Sequence, residues 1–458
     1  MKLFSTETYI NRRNALKNAL GSGQILILGN NESPMNYTDN TYRFRQDSNF
    51  LYFFGISLPG LAALIDIDKN EEIIFGHEYT IDDIIWIGRQ EPLHVLANKV
   101  GVATVLEPEK LATKISPAVM YLPPYRHDNK ILLSNLLPIS LDQLAPSESL
   151  TKAVINLRMH KAPEEIAEME KAVNITREMH LAAMRATKGG KYEYEAVAKI
   201  LETMHRHHAE LSYPVIFSVN GQTLHNHYHG NRMEAGQLAL NDSGCETDMC
   251  YAGDITRTFP VSGKFSETQK EIYTAVLDML ESSTALLKPG LMYRDVHINA
   301  NRILLGHLKN IGLVHGDTEE MLAAGVGGLF MPHGLGHNIG LDVHDMEDLG
   351  ENLVGYREGL ARSTQLGLRS LRMARELETG NVITVEPGCY FIPELIEKYK
   401  AEGIFKEYVN YAQLEAYYDF GGVRIEDNVL ITDTGHRVLG ERIAKTIAEV
   451  EAVMAGGF

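Results

Sequence analysis

Four short β-like runs in the second half of the chain carry acids where an apolar face is expected, and this limits how they can be buried. They are 237–242, ending on Asp242; 250–260, holding Asp254; VITVEPG (382–388), with Glu386; and GGVRIED (421–427), with Arg424 and Glu426. Aspartate and glutamate are almost never fully buried unless they are paired or bound to a metal. Two neighbouring carboxylates repel, and one of them protonates. A divalent cation between them removes that cost. Two plainer explanations stand beside this one. Asp242 and Asp254 could simply belong to turns, where aspartate is common. Arg424, two residues from Glu426 and on the same strand face, could be a structural ion-pair partner.

The segment FMPHGLGHNIGLDVHD (330–345) adds His333, His337 and His344, with glycines at 334, 336 and 340. Glycine costs a helix about 1 kcal/mol per residue, so this stretch is expected to be looped. Three histidines on such a backbone point to metal or substrate contact. Asp242, Asp254, His337, Glu386 and Glu426 together make four carboxylates and one imidazole. One divalent ion cannot balance four negative charges, and two can. Oxygen ligands with one imidazole suit Mn(II), Co(II), Fe(II) or Zn(II). Two such ions activate a water and polarise a carbonyl, which is metal-assisted hydrolysis.

Composition narrows the partners. Acidic residues exceed basic ones by 60 to 43, for a net charge of −17. That leaves no basic stripe for nucleic acid. The three cysteines, Cys245, Cys250 and Cys389, are too few for a disulfide framework and fit a reducing compartment. No secretory h-region and no membrane-length apolar run is visible. A cytoplasmic protein without membrane or nucleic-acid partners is expected. The histidine-rich run His205–His208 is expected to be a solvated helix end. Neither a Gly-rich phosphate loop, nor HExxH, nor GxSxG is present.

The 458 residues suffice for two or three domains. A helix over 5–20, a strand over 24–29 and β-rich stretches at 49–55 and 61–75 predict a smaller α/β domain, residues 1–155. Helices Pro163–Ala186, Tyr192–Ala209, Ser266–Leu287 and Arg294–Asn310, interleaved with the acid-bearing runs, predict an α+β domain over 156–458.

At these segments the chain resembles the proline-specific metallopeptidases of the pita-bread (creatinase/aminopeptidase-like) fold, namely Xaa-Pro dipeptidase (prolidase) and aminopeptidase P. YRFRQDSNFLYFFG (42–55) is similar to the family's N-terminal domain. DITRTFPVSGKF, MPHGLGHNIGLDVHD, TVEPG and GGVRIED are similar to its ordered catalytic motifs. The resemblance implies that Asp242, Asp254, His337, Glu386 and Glu426 hold two metal ions, with Mn(II) the first choice. Asp254 and Glu426 would bridge them. Glu386 would also shuttle the proton, and His344 would contact the substrate carbonyl or the tetrahedral intermediate. His333 would line the pocket, and Arg424 would orient a ligand carboxylate. An upstream histidine in LHNHYHGN (224–231) belongs to the site, His227 first and His225 second. The two aspartates lie one residue further apart than in the family, so the hairpin between them carries an extra residue, expected as a bulge.

Arg372, in GLRSLRMARELETG (367–380), matches the family position that binds the free carboxylate of a dipeptide's proline. A guanidinium grips a carboxylate through two parallel bonds. The alternative is a helix-surface arginine, sharing a face with Arg369 and Arg375. The single tryptophan, Trp86, lies where the family places one within reach of a neighbouring subunit's site, which implies a homodimer or higher homo-oligomer. The expected substrate is a small peptide with proline second, an Xaa-Pro dipeptide. Aminopeptidase action on longer peptides is the alternative. A non-catalytic peptide-binding relative would have lost metal ligands that this chain keeps.

Overall fold

The computed structural model describes residues 2–457. The chain divides into two compact units: one contains the residues up to Met159 together with Met346–Leu353, the other His160–Asp345 and the chain from Val354 onward. None of the described helices is long and apolar enough to cross a membrane.

The first unit opens with helix Thr6–Leu20, capped where the Ser5 hydroxyl accepts from the Thr8 amide. Its five-stranded sheet runs in the order Thr104–Leu106, Glu71–Phe75, Ala62–Asp66, Gln24–Leu28, Met120–Tyr121. The stretch 49–55, expected to be β-rich, is instead the helix Ser48–Phe54, with every residue buried. A short apolar run buried on all sides has no readable period. Its ends decide the matter. The Asp47 carboxylate accepts from the Asn49 and Phe50 amides, and Gly55 stops the helix at a φ of 67°.

The second unit packs helices Pro163–Ala186, Glu193–Arg206, Glu267–Leu286 and Tyr293–Asn310 around small antiparallel sheets. Strands Ile216–Ser218, Leu238–Ser243 and Ile255–Pro260 form one; Val382–Val385, Asp427–Thr432 and Gly435–Val438 form another. Gly388–Tyr390 pairs with Gly422–Arg424 in a third. The run GGVRIED therefore spans the end of one strand and the start of another, and Glu426 sits where the chain leaves one sheet for the other.

The aspartate hairpin contains no bulge. Asp242 faces Thr256 and Ser243 faces Ile255, and the same register continues to the Glu246–Ala252 bridge. The extra residue that the family resemblance implies therefore falls to the turn 247–251, where Cys250 takes a φ of 65°. The strands approach so closely beside the turn that a Cβ on Gly244 would sit 1.9 Å from the Gly253 carbonyl oxygen. Gly244→Ala is expected to cost about 1–3 kcal/mol through overpacking. A shift in the urea midpoint of the metal-free protein measures it, and an unchanged midpoint contradicts it.

Candidate active site

Asp242 lies within strand Leu238–Ser243, between Ile216 and Thr256 on the neighbouring strands, whereas Asp254, Glu386 and Glu426 flank strand ends and a hydrogen bond to another segment fixes the backbone of each. Asp254 precedes strand Ile255–Pro260, and the Asn428 side chain grips it twice. Asp254 N donates to Asn428 Oδ1 (3.0 Å), and Asn428 Nδ2 donates to the Asp254 carbonyl (2.6 Å). Glu426 N donates to the Thr256 carbonyl at 3.0 Å, and Glu386 N to the Leu335 carbonyl at 2.8 Å. The looped histidine segment is pinned to strand Val382–Val385: Thr384 N donates to the His337 carbonyl, and His337 N to Thr384 Oγ1.

These segments enclose a cavity of about 390 Å³. Asp242, Asp254, His337, Glu386, Glu426, His333, His344, His225, His227, Arg372 and Arg424 all line it. His337 Nε2 is 3.4 Å from Asp254 Oδ2 and 3.6 Å from Glu386 Oε1. Ligand atoms of Asp254, His337 and Glu426 lie within 4.8 Å of one another, all three residues buried. His337 Nδ1 donates to the Asn338 carbonyl at 3.0 Å, which turns Nε2 toward the carboxylates. The His344 ring stands edge-on to that of His337, centroids 4.4 Å apart.

Asp242 accepts from Arg424 Nη2 (2.6 Å) and from the Tyr213 hydroxyl (2.6 Å), which also reaches Asp254 Oδ1. Glu426 Oε2 accepts from Thr256 Oγ1 at 2.7 Å. Its other oxygen is buried and finds no hydrogen-bond partner among the described residues. An orphaned carboxylate oxygen inside a protein is costly unless a cation or donor meets it.

The charges are consistent with that geometry. Burial, reinforced by the neighbouring carboxylates, pushes the Glu426 carboxyl far up. Burial also raises Asp242 against the opposing Arg424 cation, and raises Glu386 to about 7 against His337 and Arg424. Burial acts upward on Asp254 too, but its bonds to His337 and Tyr213 hold it below the usual range. His337 is raised, because the neighbouring carboxylates outweigh its burial. The cluster therefore keeps protons at neutral pH that a divalent ion would displace. The orphan oxygen, the oxygen-plus-imidazole donor set and the surplus of negative charge all fit bound metal.

Other side chains are committed elsewhere. His333 donates from Nδ1 to the Gly334 carbonyl and accepts at Nε2 from the Tyr390 hydroxyl, each at 2.8 Å. Burial and the Arg424 cation push its pKa down to about 3, so it is neutral. Arg372 is not on a helix. The segment contains only the short turn Leu368–Ser370, and the Ala374 and Arg375 amides both donate to the Gly355 carbonyl, an arrangement no helix face allows. His225 and His227 both reach the cavity, while His229 Nε2 lies 3.0 Å from the Val215 carbonyl. In the run His205–His208, His207 pairs with Glu178.

Sequence reasoning passed over Tyr213, Tyr390 and Thr256. Thr256 was within reach, since the strand period places it on the face of Asp254. Tyr390 accepts from Arg424 Nη1 at 2.8 Å across the pairing of Gly388–Tyr390 with Gly422–Arg424, and Tyr213 approaches from a loop. Neither carries a local signal.

The sequence profile of metallopeptidase family M24 matches residues 167–433, and that of the aminopeptidase P N-terminal domain matches 9–121. An Xaa-Pro dipeptidase of Homo sapiens is 34% identical over 96% of this chain and 90% of its own. The Xaa-Pro aminopeptidase of Escherichia coli (strain K12) is 31% identical over 99% of both chains. Zinc-substituted E. coli aminopeptidase P in complex with product superposes with a TM-score of 0.82, at 31% identity and 99% coverage of both chains.

The raised carboxyls set a pH dependence. Glu386 moves from 4.5 to about 7, so between those values the folded metal-free protein holds a proton that the unfolded chain has released. That stabilisation is complete below the lower value and is lost as pH rises through the upper one. Metal-free protein is expected to melt at a lower temperature at about pH 8 than at about pH 6, and a divalent ion to abolish the difference. Differential scanning calorimetry with and without chelator measures this; a metal-free Tm independent of pH contradicts it.

Proposed function

We propose, from the premise that this chain belongs to metallopeptidase family M24 and carries its pita-bread fold, that it cleaves the bond between an N-terminal residue and proline. The preferred substrate in this proposal is a dipeptide. One observation carries it: Arg372 faces the same cavity as the carboxylate cluster.

Asp242, Asp254, His337, Glu386 and Glu426 are the proposed ligands of two ions, Mn(II) first, which supply when bound an acidified water and a Lewis-acid hold on the scissile carbonyl. Glu386 takes the proton of the attacking water and returns it to the departing proline nitrogen. Its carboxylate lines the same cavity, 3.6 Å from His337 Nε2, where a general base and acid must stand to make both transfers. His344 donates to the carbonyl oxygen as charge develops there. His225 and His227 contact the substrate from the opposite loop, and His333 shapes the wall. Arg424 holds Asp242 in place. Arg372 binds the proline carboxylate through its paired N–H groups.

The E. coli aminopeptidase P likeness, spanning 99% of both chains, favours action on longer peptides as the second possibility. Amino-acid release from Ala-Pro and from Ala-Pro-Ala by Mn(II)-loaded protein separates the two, with Glu386→Gln as inactive control. Release from Ala-Pro alone is expected. Arg372→Ala is expected to raise KM for Ala-Pro about 10- to 100-fold, the worth of bonds between charged groups. Fast release from the tripeptide with an unchanged KM in Arg372→Ala overturns the dipeptidase assignment.

A homodimer belongs to the same proposal. Helix Ile81–Ile87 exposes Trp86 by 86%, Ile81 by 77% and Ile85 by 69%. Clustered exposed apolar side chains of this size mark a surface that another protein covers. Light scattering is expected to give twice the 51.1 kDa chain mass, and Trp86→Ser with Ile85→Ser to give the chain mass alone. A monomeric unsubstituted protein contradicts it. The cytoplasm is the proposed compartment, supported by a count of only three cysteines, which fits a reducing environment.

A further inference from the structure

Glu193 is fully buried (0% exposed), and among the described residues its carboxylate is met by neutral donors and not by a cation. It is the first residue of helix Glu193–Arg206, where a negative charge meets the positive end of the helix dipole. Its carboxylate is saturated by donors from the chain on either side of one loop. Oε1 accepts from Val219 N (2.8 Å), Ser218 Oγ (3.2 Å) and Asn231 Nδ2 (3.1 Å). Oε2 accepts from Asn231 Nδ2 (3.0 Å) and Asn231 N (3.3 Å). Glu193 N donates in turn to the Asn231 carbonyl at 3.0 Å.

Val219 and Asn231 are the two ends of the loop that carries His225 and His227 into the cavity. The loop interior hangs from the same hub. Asn226 Nδ2 donates to Ser218 Oγ at 3.1 Å, and Tyr228 N donates to Asn226 Oδ1 at 3.0 Å. Asn226 thus stands between the two histidines and is tied, through one hydroxyl, to the Glu193 carboxylate. Beyond that network the histidines have little to hold them: His227 Nδ1 lies 3.4 Å from the Val215 carbonyl.

We propose that Glu193 is the positioning residue of this loop, a buried anion that closes both loop ends and so sets where His225 and His227 meet the substrate. The role rests on the assignment of those two histidines as substrate contacts. Every group facing the carboxylate is a donor, so a glutamine amide would set N–H against N–H at one of the two loop ends. The loop would then settle elsewhere, while Asp254, His337, Glu386 and Glu426 are held by other segments and Asp242 keeps its pairing with Thr256 and its bond from Arg424.

A double-mutant cycle tests this, with kcat/KM on Ala-Pro and bound Mn(II) measured for each protein. The proteins are wild type, Glu193→Gln, His225→Ala with His227→Ala, and the triple variant. Glu193→Gln is expected to lower kcat/KM about tenfold with metal content unchanged. In the background lacking both histidines it is expected to have no further effect. An equal loss in both backgrounds shows a merely structural role and overturns the proposal, as does no loss in the wild-type background. If the histidine variant alone keeps wild-type kcat/KM, the assignment of those histidines fails first, and the role of Glu193 falls with it. Asn231→Ala removes the two side-chain bonds from the loop side, and the same cycle with it decides the matter should Glu193→Gln not fold.

Discussion

Mutual repulsion among Asp242, Asp254, Glu386 and Glu426 is the constraint around which the second unit is built. Four carboxylates in one cavity, largely out of water, cannot all ionise on the positive charge the protein itself supplies. Arg424 and His337 act against this repulsion and do not overcome it: Glu386 and Glu426 stay raised. A protein that places acids this way stores affinity for cations. The same burial that makes the cluster unfavourable when empty makes it selective for a small ion of high charge.

Holding the acids together falls to side chains as much as to sheets. The strand bearing Asp242 and the strand that follows Asp254 lie in one sheet, and the strands flanking Glu386 and Glu426 lie in others. Asn428 stitches them with a pair of bonds that imitates strand pairing. Thr258 Oγ1 donates to the Arg424 carbonyl while accepting from the Arg424 amide. Arg257 Nη1 donates to the Glu426 carbonyl, and its Nη2 pairs with buried Asp427. Each stitch is fully buried, where a hydrogen bond is strong and its loss is expensive. The positions of the acids relative to one another are therefore rigid before any ion arrives.

The histidines illustrate how the surroundings divide one residue type into several tasks. His337 spends Nδ1 on a carbonyl and turns Nε2 to the acids. His333 has both nitrogens occupied and acts as wall. His180, beneath the aspartate strands, sits between the Ser243 carbonyl and the Asn241 amide and is kept neutral by burial, near a pKa of 3. Only hydrogen-bond partners distinguish these roles, because the imidazoles are chemically identical.

Much of this was already present in the order of residues. Acids in β-like runs, histidines on a glycine-rich backbone and capped amphipathic helices such as Glu267–Leu286 are local features, set by period, cap and charge, and they hold wherever the chain goes. So does the choice of chemistry, since four carboxylates and an imidazole brought together must take up either protons or cations. What local features could not decide was everything that depends on a partner distant in sequence. The helix at Ser48–Phe54 has no period to read because it is buried all round. The turn that absorbs the extra residue between Asp242 and Asp254 is indistinguishable from a bulge until the register is known. Arg372 belongs to the cavity rather than a helix face because the backbone around it pairs with Gly355. Tyr213, Tyr390, Asn428 and Glu193 act through contacts dozens to hundreds of residues away. The sequence by itself determined which groups are available and what charge they must balance; the tertiary structure alone decided which of them meet, because a hydrogen bond or an orphaned carboxylate oxygen is defined by distance in space and not by spacing along the chain.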